Sequence, residues 1–95
     1  MKSEVVVEAI KNACKKASPG FEQLLEVHLK NNTGKGFELA YEDPKKFREV
    51  VIKILGEYSY RLLELLALQE IRRELGISEE LNSLEEAVKV ARDLR

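Results

Sequence analysis

Several residue types are scarce in this 95-residue chain, and each shortage removes a class of function. Cysteine occurs once, as Cys14, so an intrachain disulfide and a four-cysteine zinc site are excluded by count. Histidine also occurs once. Any acid–base, pH-sensing or imidazole–metal chemistry near neutral pH must therefore use His28. A bundle-type di-metal site needs Glu three residues before His on the same helix, and that position here is Leu25. Neither sign of charge dominates: sixteen basic residues face seventeen acidic ones, for a net charge of -1, which leaves no field to draw in polyanions. Long hydrophobic runs are missing too. Val5-Val6-Val7 is far short of a signal-peptide core, and nothing approaches the roughly 20 apolar residues of a membrane span. These absences predict a soluble, cytoplasmic protein with no membrane segment, no metal and no cofactor.

What is present suits one packed core. The chain is 44% hydrophobic, a fraction and a length that fit a single domain over residues 1–95. Fifteen of the acids are Glu and ten of the bases are Lys. That bias is the compositional trend of hyperthermophiles and equally that of exposed helix surfaces.

Periodicity predicts an all-α fold of about five helices in a compact orthogonal bundle. Val6, Ala9, Ile10, Ala13 and Ala17 recur at steps of three and four, which makes a first helix with a shallow apolar face. Ser18-Pro19 gives a cap-then-proline start to a second helix running to about Lys30, with Phe21, Leu24, Leu25 and His28 as its stripe. Phe37, Leu39 and Tyr41 then alternate with polar neighbours, which predicts a short extended connector near residues 37–41. Asp43-Pro44 starts a third helix carrying Phe47, Val50, Val51, Ile54 and Leu55. In the segment from Glu57 to Gly76, Leu62, Leu63, Leu65, Leu66 and Leu68 spread around most of the helix circumference, so this helix needs cover on nearly every side. The last helix begins at Ser78 or at Ser83, where Ser83-Leu-Glu-Glu86 matches a capping box.

Four groups of side chains are candidates for function. Tyr58, Leu62, Leu65, Leu66 and Ile71 form a candidate dimer interface on the Leu-rich helix. His28 and Tyr60 mark a candidate ligand pocket, although a lone histidine on an apolar stripe is more often a hydrogen-bonded structural residue. Lys35, Lys45, Lys46 and Arg48 are candidate phosphate contacts at a helix start, diluted by Glu42, Asp43 and Glu49. Cys14 has Lys11, Lys15 and Lys16 nearby to activate a thiolate, against the commoner role of free cysteine as a small buried residue. No phosphate loop, dinucleotide fingerprint, zinc-metalloprotease motif or nucleophile elbow occurs, and no enzymatic activity is predicted.

Leu24-Leu25-Glu26-Val27-His28-Leu29, the Asp43-Pro44 start followed by Phe47, and Ile54-Leu55-Gly56 leading into a Leu-rich helix with Glu64 carry a resemblance. From Phe21 to Leu75 the chain resembles a family of short archaeal domains of unknown function that includes those labelled Nitrosopumilus output domain. The resemblance implies a small archaeal helical module used in signalling output or association, with no catalytic residues to carry over. The expected function is thus an interaction or regulatory module that acts by homodimerisation and partner binding. A nucleic-acid-associated regulator and a small-ligand sensor are the alternatives.

Overall fold

The computed structural model describes residues 2–94. They form α1 (Lys2–Ala17), α2 (Phe21–Thr33), α3 (Leu39–Glu42), α4 (Pro44–Leu55), α5 (Glu57–Leu75) and α6 (Leu84–Asp93), and no strand occurs among the described residues. The fold is all-α, as the periodicity predicts. No described helix is long and apolar enough to cross a membrane.

The shallow apolar face of α1 becomes the middle of the molecule. Val6, Ala9, Ile10, Ala13 and Cys14 are all buried, and α1 meets α2, α3, α5 and α6, packing most extensively on α5. Small side chains at a helix seam let two backbones approach closely, so the low apolar volume of α1 suits a central position. Ala17, placed in the stripe by spacing alone, is exposed because α1 ends there.

Several local starts and stops follow the sequence signals. Asp43 caps α4, accepting from the backbone N–H of Lys46 at 3.1 Å, with Pro44 in the first turn. Ser83 caps α6 by accepting from the N–H of Glu86 at 3.1 Å, so the last helix begins at the later serine. Glu86 reaches back one residue further than a capping box requires, accepting from the N–H of Asn82 at 2.9 Å. Ser18-Pro19 behaves differently. Gly20, at φ 84°, turns the chain just ahead of Phe21, so proline lies in the turn and no side chain caps α2.

Three expectations are corrected. Residues 37–41 are not an extended connector: Ala40 donates to the carbonyl of Phe37 at 3.0 Å and α3 makes a sixth helix. Alternation was misleading because it counted Ala40 as polar. Ala40 is fully buried, and Phe37, Ala40 and Tyr41 sit at the helical spacing of three and four. On α2, Leu25 and Leu29 are buried, whereas Leu24 and His28 are exposed, because the helix touches the core only along its seam with α1 and α4. On α5, Ile71 is fully buried on the same side as Leu63, Ala67 and Leu68, so it belongs to the core and not to an interface.

One buried carboxylate ties α5 to α6. Glu64 accepts from the N–H of Leu84 at 2.8 Å, from the hydroxyl of Tyr60 at 3.4 Å and from the guanidinium of Arg61. Arg61 also donates to the carbonyl of Asn82 at 2.7 Å, which replaces the ordinary surface pairing of Glu57 with Arg61 that spacing suggests. Negative charge at a helix N-terminus meets unpaired amides and the positive end of the helix dipole. Burial, with the charge of Glu64 next, pushes the Tyr60 phenol above its usual range, so it remains a donor to that carboxylate.

Three outcomes follow from this core. Glu64→Ala is expected to lower the unfolding free energy by about 3 kcal/mol, since it strands two buried donors, the Leu84 amide and the Tyr60 hydroxyl, against about 1 kcal/mol for Ser83→Ala. Urea denaturation of the two variants checks this, and equal costs would reduce Glu64 to an accessory cap. Burial, reinforced by Glu22, pushes the Cys14 thiol from its ordinary 9.0 up to about 12. The folded protein then keeps a proton that the unfolded chain releases, so this contribution to stability is complete below pH 9 and declines as pH rises toward 12. The same burial makes Cys14 inert to a thiol reagent at pH 8 until denaturant is added, when one thiol per chain should react.

Candidate functional site

The outward side of α5 sets the candidate site. Tyr60, Leu63, Glu64, Ala67, Leu68, Glu70 and Ile71 turn inward. Tyr58, Leu62 and Leu65 point outward, at 79%, 48% and 41% exposure, and Leu66 is half-buried. The predicted cover on nearly every side is absent from the single chain. Only the first half of the helix is apolar on the outside, since Gln69 and Arg73 follow on that side and are exposed.

This surface is concave as well as apolar. Ala17, Ser18, Phe21, Leu55, Ser59, Leu62, Leu63, Leu65 and Leu66 line a groove of about 580 Å³, and none of these described side chains is charged. It lies where the end of α1, the start of α2 and the end of α4 meet α5. Tyr58, one helical turn before Leu62, stands beside the groove without lining it. Leu24 and Val27 on α2 are further exposed apolar residues outside the groove.

A larger cleft of about 750 Å³ is polar and already engaged by the fold. Arg92 donates to the carbonyl of Tyr41 at 2.6 Å and lies 4.8 Å from its ring centroid, pinning α6 to α3 inside that cleft. Glu4, Glu8, Glu38 and Glu42 line it with Lys11. No group of three or more metal-ligating side chains is assembled among the described residues. Size alone would favour this cleft, but the smaller groove has the uncharged, convergent lining that a binding surface uses.

The remaining candidate residues scatter. His28 is exposed on α2 and Tyr60 is buried under α5, and neither lines any of these cavities or the two acidic hollows near Glu79 and Glu74. Tyr60 instead sets its ring edge-on to Phe47 at 6.5 Å. Of the basic cluster, Lys35 is bound to Glu42 and Arg48 pairs with Glu85 at 3.3 Å, while Lys45 and Lys46 are exposed on the first turns of α4. Cys14 is buried and cannot act as an accessible nucleophile. Sequence reasoning singled out Leu62, Leu65 and Leu66 but missed Phe21, Leu55 and Ala17, which come from three other helices and share no local pattern with α5.

Comparison with known proteins agrees with this architecture. No curated protein matches. A crystal structure of a Pyrococcus horikoshii protein superposes with a TM-score of 0.89 at 43% sequence identity, covering 96% of this chain and 93% of that one. The family profile described as Nitrosopumilus output domain 5 matches residues 1–93. The chain therefore belongs to the Nitrosopumilus output domain 5 family, a small helical domain found in archaea.

Proposed function

We propose that this domain is a non-enzymatic association module of the output type, which pairs with a second copy of itself through the outward face of α5 and the groove beside it. The observation that carries the reading is the groove. Phe21, Leu55, Leu62, Leu65 and Leu66 gather apolar surface from three helices into one open, uncharged concavity. Burying a fully exposed leucine contributes about 1.5–3 kcal/mol, and Leu62 and Leu65, at 48% and 41% exposure, gain about half of that each toward offsetting the cost of association. A net charge of -1 offers little repulsion between copies.

The domain's place is the cytoplasm, where a lone buried thiol needs no oxidising environment. The phosphate-contact alternative is weakened because Lys35 and Arg48 are committed to Glu42 and Glu85. The sensor alternative at His28 is weakened because that residue borders no cavity described above.

Sedimentation equilibrium is expected to give a dimer mass at high micromolar concentration, and a monomer mass there would sink the proposal. Leu62→Glu is expected to give a monomer with an unchanged far-ultraviolet spectrum, because Leu62 is half exposed in the single chain. Ile71→Ala is the contrast: it should cost about 2–5 kcal/mol of folding stability while leaving the folded fraction able to dimerise.

A further inference from the structure

We infer that the groove is completed in trans by Tyr58 of a second copy, so that two Tyr58 rings and two grooves exchange across a two-fold axis. This deepens the association reading above and rests on it. Among the described residues Tyr58 is the most exposed large hydrophobic, at 79%, and its ring contacts neither another aromatic ring nor a cation. Leaving an aromatic ring in water forgoes the largest single burial available on this face. Tyr58 does not line its own groove, although Ser59 and Leu62 beside it do.

An isologous interface needs a patch that carries both the projection and the hollow that receives it. Here the two are neighbours on one helix. The hollow offers Phe21, Leu55, Leu62 and Leu66 to the flat ring, and Ser18 and Ser59 bring hydroxyls to its lining that a phenol can meet. No charged side chain lines it, so neither a basic nor an acidic peptide is selected, whereas an aromatic ring with one polar end fits.

Area points the same way. A stable interface removes about 800 Å² from each partner, about one seventh of the 5752 Å² surface of this chain. The groove alone is smaller than that. Leu24 and Val27 on α2, each more than half exposed, are further apolar surface that a second copy would cover. Their burial by the body of the second copy, around an inserted Tyr58, supplies the remaining contact.

Mixing two full-length variants tests the exchange. Tyr58→Ala keeps the groove and loses the ring; Ser59→Trp keeps Tyr58 and fills the groove from its exposed rim. Each alone is expected to raise the dimer dissociation constant by about 30-fold or more, as loss of an anchor residue does. Mixed in equal amounts they should form a heterodimer tighter than either homodimer, because one intact ring then meets one intact groove. Circular dichroism of each variant confirms that it is folded. If the wild type is a dimer that Leu62→Glu dissociates, but Tyr58→Ala associates like wild type or the mixture shows no gain, the trans insertion of Tyr58 is wrong while the association reading stands. A monomeric wild type overturns both.

Discussion

The seam between α1 and α5 constrains everything else in this domain. A helix of 19 residues has two sides, and five shorter helices in a chain of this length bury one of them. That side is taken chiefly by α1, whose small residues Ala9 and Ala13 face the core as Ala67 does from α5. Asn12 fixes the register of the pair, donating to the partly screened carboxylate of Glu70 at 2.7 Å. Once α1 is committed to the inner face, the outer leucines of α5 have no helix left to meet. The exposed apolar surface is therefore a consequence of the packing and not an accident of composition.

The same seam explains why a carboxylate is buried at Glu64. The loop from Gly76 to Ser83 must carry the chain back along α5 before α6 can add Leu84, Ala87, Val88 and Ala91 to the core. This return brings the first amides of α6 against α5, where an apolar residue would leave them without partners. Glu64 and Arg61 together satisfy an N–H and a carbonyl at that crossing. Buried polar clusters of this kind are costly when half-satisfied and specify one arrangement when complete. Docked in this way, α6 closes the core, and Arg92 at its far end holds α3 by two backbone carbonyls.

Much of the fold was legible because helices announce themselves locally. Proline after Asp43, serine three residues before Glu86 and the i, i+3, i+4 repeats of α1, α4 and α6 are all interactions within a few residues of chain. What was illegible required the third dimension. Ala40 reads as a neutral filler in sequence, and only its fully buried position shows that residues 37–41 wind instead of extending. Leu24 and His28 share a stripe with Leu25 on paper, but α2 has too few neighbours to cover it. The candidate site divides in the same way. Leu62, Leu65 and Leu66 were visible as a surplus on one helix. The groove was not, because Phe21, Leu55 and Ala17 approach α5 only through tertiary packing.

Charge placement supports a role for the groove in association. Ion pairs ring the molecule elsewhere: Lys15 with Glu22 at 3.7 Å, Arg48 with Glu85 at 3.3 Å and Arg73 with Glu70 at 3.7 Å. Such exposed or half-exposed pairs contribute little stability individually, but they neutralise the surface locally and keep long-range fields small. The groove has no charge to be neutralised. Its attraction for a partner is then the removal of apolar area from water, a force without direction. Direction must come from shape, and the one shape on this face that matches a hollow is a protruding ring. With a net charge of only -1 to steer encounters, specificity in the pairing proposed above would fall to the fit between Tyr58 and the residues that line the groove.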